Sequence, residues 1–166
     1  MKLRKKVLYA LSALVLLLII LAIFLPSILH SLGFHPDYEG EQYDLQGKKA
    51  LIVTTSHSVL NKPGETDGRA TGVFGSEMTI PYYEFLDANM EVDLASIQGG
   101  EIPIDPYSFY YFLKSDEDKR YLDDAAFQAK AKNSIPVKDV DFKQYDVVFF
   151  AGGWGAAYDM ASEMMG

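Results

Sequence analysis

The chain has 166 residues, room for one domain, and an ordinary globular composition of 49% hydrophobic and 23% charged residues. A net charge of -8, with no Lys/Arg cluster beyond the amino terminus, excludes a phosphate-tracking surface and nucleic acid as a partner. Zero cysteines exclude disulfides, cysteine-held zinc and a cysteine nucleophile within these residues.

Residues 1–6 are a basic tail with Lys2, Arg4, Lys5 and Lys6. From 7 to 25 nothing is charged, and only Tyr9 and Ser12 interrupt the apolar run. That is the length of a membrane-spanning helix, roughly 17–25 residues. The alternative is a cleaved signal peptide, whose apolar region runs about 7–15 residues to a small-x-small site. Pro26 to Ser31 offers no such site. Asp37, Glu39, Glu41 and Asp44 follow, so the positive-inside rule sets the amino terminus in the cytoplasm and the remainder outside. Residues 26–46 read as a stalk, and His30 and His35 as solvated stalk residues.

Residues 47–166 read as the domain. Ala50 to Thr55 is apolar and β-branched, a first strand. Ser56 to Gly72 is a long, turn-rich loop in which His57 lies just beyond the strand end, an incidental loop histidine. The spacing of Met78, Tyr82, Phe85 and Leu86 predicts a helix over 76–89. Pro81 should kink or delay it, and Asn89 should close it in the left-handed conformation. Glu77 falls in its first turn, where an acid is favourable for the helix dipole alone. Glu91 to Ser96 alternates like a second, more edge-like strand. Strand, helix, strand at this spacing is a βαβ unit with parallel strands.

The crossover that follows holds an aromatic cluster, Tyr107 and Phe109 to Phe112, expected to pack as a lid or satellite helix. Ser115 to Asp118 then opens a helix running to about Ala131. Val147 to Ala151 has no polar alternation and reads as a strand buried on both faces. It ends in Gly152-Gly153-Trp154-Gly155, past the carboxyl end of a strand, where open α/β sheets bind ligands. A helix from Ala156 to about Met165 follows. The glycines do not make a dinucleotide site: Tyr158 stands where the third small residue of G-x-G-x-x-G belongs. No Walker-type motif and no H-E-x-x-H occur, so no cofactor and no metal is expected.

Together these pieces resemble the DJ-1/PfpI superfamily of class I glutamine-amidotransferase-like folds, in its Hsp31-like branch. The resemblance rests on Lys49 to Thr54, Thr71-Gly72 with Glu77, Pro81-Tyr82, and Glu91 to Ser96. It continues through Gly99-Gly100 with Pro103-Ile104-Asp105, and Tyr145-Asp146 through Gly155 with Asp159. It implies a flavodoxin-like three-layer sandwich with a parallel sheet, here incomplete. It implies a glutamate at the start of the first domain helix beside a cysteine on a strand-to-helix elbow, with turn amides at the oxyanion. Glu77 takes the glutamate role and Gly152 and Gly153 the turn. Trp154 stands where many members carry histidine.

The elbow cysteine lies beyond the glycine turn in family members, so the sequence reads as truncated before it, and its last strand as an edge. Three readings remain open. The first is a membrane-anchored relative of enzymes acting on glyoxals, amides or damaged proteins, inactive as given. The second is a non-catalytic membrane-tethered binding or holdase module. The third is a truncated product without function. The partners expected are a lipid bilayer, a small carbonyl or amide substrate once the domain is completed, and a second copy of the chain.

Overall fold

The computed structural model describes residues 2–35 and 40–163. Asp37 and Glu39, two of the acids behind the expected orientation, lie outside the described residues, as do 164–166 at the end of the last expected helix. The chain divides into two compact units, Met1–Glu39 and Gly40–Gly166.

The first unit is one helix, α1 (Lys2–Ser31). It runs through Pro26, where the sequence predicts a stalk to begin. A proline removes one intrahelical hydrogen bond without forcing the chain to stop, and the apolar Ile28 and Leu29 suit a helix. The stop comes at Gly33, whose φ of 90° suits only glycine. Gly33 N–H donates to His30 C=O and Phe34 N–H to Leu29 C=O, the paired closure of a Schellman end. The helix is long and apolar enough to cross a membrane, with a mean hydropathy of 3.0 in its span.

The second unit is an α/β domain. Its parallel sheet holds β1 (Lys49–Thr54), β4 (Glu91–Ser96), β5 (Ile135–Pro136) and β6 (Val147–Phe150), in the order β5-β4-β1-β6. Every residue of β1 from Ala50 onward is buried, as its continuous apolar run requires. Successive side chains serve opposite faces. Ala50 and Ile52 cluster with Met78 and Tyr82 of α2 (Gly75–Asp87). Leu51 and Val53 cluster with Ala95 and with Met160 of α5 (Ala156–Glu163). Helices thus cover both faces of the sheet.

Helix α2 is continuous through Pro81. Asn89, at φ 63°, closes it as expected, with Asn89 N–H on Leu86 C=O and Met90 N–H on Phe85 C=O.

Four further expectations are corrected. The loop over 56–72 contains a hairpin, β2 (Val59–Asn61) against β3 (Gly68–Ala70), too short to show a period. The single helix expected over 115–131 is two, α3 (Asp116–Asp123) and α4 (Ala125–Lys132). Asp124 breaks them because its backbone is extended and its carboxylate caps the second, accepting from the N–H groups of Ala126 and Phe127. The aromatic cluster forms only a 3-10 turn, Pro106–Phe109.

The last correction is β6, read as buried on both faces. It pairs with β1 alone among the described residues, leaving Val147, Phe149 and Phe150 exposed at 38%, 36% and 46%. This is the edge that follows if no further strand is added. At the other side β4 meets β5 only at Ala95 and Ser96. Lys130 Nζ donates to Val92 C=O along its remaining edge, at 2.5 Å.

Candidate functional site

In the order β4-β1-β6 the chain leaves β1 for one side first and for the other later. The carboxyl ends of β1 and β6 therefore flank the switch point, where connections diverge and open a crevice. Two loops meet there, Thr71 to Phe74 leading into α2 and Ala151 to Gly155 leading into α5. They are zipped by backbone: Phe74 N–H donates to Gly152 C=O at 3.2 Å, and Gly155 N–H to Gly72 C=O at 3.1 Å.

Glu77 sits in the first turn of α2 and is exposed. Its Oε2 accepts the Gly152 N–H at 2.9 Å, across a separation of 75 residues. The sequence-predicted acid and glycine turn are thus in direct contact. A Cβ at Gly152 would lie 2.6 Å from that same oxygen, so only glycine lets the carboxylate come this close. Gly153, at φ 129°, lies against the backbone of Gly72 and Phe74, where a Cβ would fall 2.5 and 2.6 Å from their O and N atoms. The N–H groups of Gly153 and Trp154 donate to no other described residue. Trp154 itself is exposed.

Two carboxylates that the resemblance named without a role hold this arrangement in place. Asp105 is 2% exposed and sits behind the first loop. It accepts from Thr71 Oγ1 at 2.9 Å, Tyr107 N–H at 3.0 Å and Arg69 Nη1 at 3.2 Å. The backbone on either side bonds to Val73: Val73 N–H to Pro103 C=O and Asp105 N–H to Val73 C=O, both 2.9 Å. Asp159 in the first turn of α5 accepts from Thr55 Oγ1 and Ser56 N–H, both 2.7 Å, and ties α5 to the end of β1. The sequence signal for Asp105 was an acid before proline, a turn opener; for Asp159 it was a first-turn acid.

A further residue that the sequence did not single out supports α2. Ser108 is buried and its Oγ accepts the Gly75 N–H at 2.7 Å, satisfying one of the orphan donors of the helix start. Buried Asp118 bonds Thr79 Oγ1 at 2.7 Å and closes a capping box with Ser115.

His57 joins no dyad with its flanking serines. Its Nε2 faces two acceptors, Val59 C=O at 2.5 Å and Asn61 Oδ1 at 3.2 Å, so that nitrogen carries the hydrogen. The ring stacks on Tyr158 at 4.2 Å. Ser56 Oγ donates to Ser96 Oγ instead, at 3.1 Å. Among the described residues no His, Cys, Asp and Glu side chains gather as a metal site.

No family model matches the chain. It is 32% identical over 117 residues to the glutathione-independent glyoxalase hsp3102 of Schizosaccharomyces pombe, covering 69% of this chain and 47% of that protein. It is 32% identical to glyoxalase 3 of Candida albicans, covering 67% of this chain and 46% of that one. Among solved structures, the 24 kDa Rapid Encystment Protein of Francisella tularensis superposes with a TM-score of 0.60 at 38% identity, covering 71% and 52% of the two chains. Glyoxalase III from Candida albicans superposes with a TM-score of 0.60 at 29% identity, covering 70% and 48%. The chain thus spans about half the length of these relatives. Similarity in sequence and fold together make it a homologue of the glyoxalase III/Hsp31-type proteins, in the Hsp31-like branch of the DJ-1/PfpI superfamily.

Proposed function

We propose that residues 47–166 supply the acid and the amide donors of a glyoxalase-type site, carried on a single-pass anchor at 7–25 with the amino terminus cytoplasmic. The observation that carries this reading is the Glu77–Gly152 contact at the switch point. The substrate class is a small carbonyl compound, by analogy with the S. pombe and C. albicans glyoxalases to which the chain is similar.

The chemistry divides by residue. A thiolate adding to an aldehyde carbonyl leaves negative charge on oxygen, which preorganised N–H donors stabilise. Gly152 N–H is engaged with Glu77, so the oxyanion donors fall to Gly153 and Trp154. Glu77, held by Gly152, is the proton acceptor. The thiolate has no source within the 166 residues, which contain no cysteine. We infer that these residues alone do not turn over a glyoxal.

The test supplies methylglyoxal to the full chain in detergent and follows lactate. No lactate is expected from it or from Glu77→Gln. Lactate is expected once the chain is fused to the carboxy-terminal half of a complete relative, and its loss in the fused Glu77→Gln protein. Turnover by the chain alone, or a fused protein indifferent to Glu77→Gln, overturns the assignment. A tethered binding or holdase module is the second reading, favoured by the exposed Phe149, Phe150 and Trp154. Suppression of client aggregation by the unfused chain, lost in Phe150→Ser, would favour it.

A further inference from the structure

The turn from Gly152 to Gly155 carries a single side chain, the indole of Trp154. Both flanks of that side chain lie against backbone. A Cβ at Gly153 would fall 2.5 Å from Gly72 O, and one at Gly155 2.6 Å from His57 O. The turn is also bonded at each end. Gly152 N–H donates to Glu77 Oε2 at 2.9 Å, and Gly155 N–H to Gly72 C=O at 3.1 Å. The place of residue 154 is therefore set on both sides before any ligand arrives.

The fold makes no use of the indole. Trp154 is 61% exposed, between half-buried Gly153 and buried Gly155, and stacks on no described ring. Tryptophan has a large apolar face and is highly buried on average, so one left in water on a pinned turn is informative. It stands two residues from the amide that Glu77 holds.

We propose that Trp154 sets the substrate preference of the crevice, favouring an α-oxoaldehyde with a planar aryl substituent over one with a methyl group. This rests on the assignment of the Gly153 and Trp154 N–H groups to the oxyanion. A carbonyl oxygen held at about 2.9 Å from the Trp154 nitrogen puts its carbon about 4 Å from that nitrogen. A substituent on that carbon is then within reach of an indole that begins at the same residue. An aryl ring can stack offset or edge-on against it, and both faces shed water. A methyl group covers only a small part of the same face. The Glu77 carboxylate beside the turn disfavours an anionic substituent, so the aryl group is a neutral one.

Lactamide and mandelamide test this, as neutral and unreactive analogues that differ only in methyl against phenyl. Each offers a carbonyl to the turn amides and a hydroxyl to Glu77. Both are titrated calorimetrically into the full chain in detergent. Emission from Trp154, the one tryptophan in the chain, is the second readout. Mandelamide is expected to bind about tenfold more tightly and to shift that emission at saturation. In Trp154→Ala the advantage should fall to about twofold or less, and Trp154→Phe should restore part of it. Phe112→Ala, which removes an exposed ring from another loop, should bind both amides as the parent does. Equal binding of the two amides by the parent overturns the preference and leaves the Glu77 site standing. A full advantage that persists in Trp154→Ala overturns its assignment to the indole. No saturable binding of either amide overturns the crevice assignment, and this inference with it.

Discussion

At the scale of single residues the candidate site is a problem of clearance. Glu77 reaches Gly152 N–H because there is no Cβ in the way, and Gly153 lies on Gly72 and Phe74 for the same reason. Gly153→Ala is expected to destabilise the domain by about 1–3 kcal/mol, because it adds both a strained φ and a backbone clash. Gly152→Ala presses on a side-chain carboxylate, which can swing away, so its cost should be smaller and its effect on the Glu77 contact larger. Thermal melts rank the two; the amide proton shift of residue 152, with and without Glu77→Gln, reports the contact. Equal melting temperatures for both variants and the parent would show that the turn is looser than described. Asp105 is the other single residue on which the site rests. Asp105→Ala orphans Thr71, Arg69 and the Tyr107 N–H and should cost about 2–4 kcal/mol. Urea titration measures it, and a change under 1 kcal/mol would remove Asp105 as the anchor of the 71–74 loop.

At the scale of elements, Asp124 shows how one carboxylate decides where a helix ends. The Phe127 N–H, aided by the Tyr83 hydroxyl, the Ala126 N–H and nearby Arg120, holds the Asp124 carboxyl below the usual aspartate range. Tyr83 is shifted the other way, upward, first by burial and then by the bond to Asp124. Asp124→Ala should cost about 1 kcal/mol, the ordinary value of a lost helix cap. A carboxylate with a depressed folded-state pKa contributes stability that is complete above its unfolded value, about 3.9, and is lost as pH falls through the lower folded value. The gap in melting temperature between parent and Asp124→Ala should therefore be constant near neutrality and close below about pH 4. A gap that widens on acidification would contradict the assignment. Tyr145 works at the opposite limit: burial and its bond to Asp93 push it up to about 12, so its contribution fades only as pH rises from about 10 toward that value.

The elements also show what the sequence could and could not disclose. The strands at 49–54, 91–96 and 147–150 were legible because an apolar strand core is a local pattern. The left-handed close at Asn89 was legible because few residues tolerate it. The β2/β3 hairpin was not, since three residues show no alternation. The break at Asp124 was not, since an apolar stripe continues across it and the capping carboxylate is also held by the Tyr83 hydroxyl, 41 residues away. Glu77 was legible only by resemblance; in its own context it is one more acid in a first helical turn. The buried roles of Asp105 and Ser108 needed the fold, because neither has a local partner pattern that differs from an ordinary turn residue.

At the scale of the whole molecule the chain divides into two units, one apolar helix and one domain. With the helix as an anchor and Lys2, Arg4, Lys5 and Lys6 before it, the domain is expected outside the cytoplasm. Protease added to intact cells should remove the domain and leave a membrane-embedded fragment of the first unit. A protected domain, or a soluble form beginning near residue 30, would show a reversed or cleaved leader instead.

The 75 residues between Glu77 and Gly152 also set a clock. Synthesis at about 5–20 residues per second delivers the acid roughly 4–15 s before the amide that holds it. Its strand arrives as late: β6 pairs in parallel with β1, and parallel pairing between distant segments closes slowly. Through that interval the edge of β1 that β6 will occupy has no strand to pair with from these residues. Among these residues the glycine turn is therefore the late half of the crevice, and the Glu77–Gly152 bond reports that the turn after β6 has docked on the start of α2.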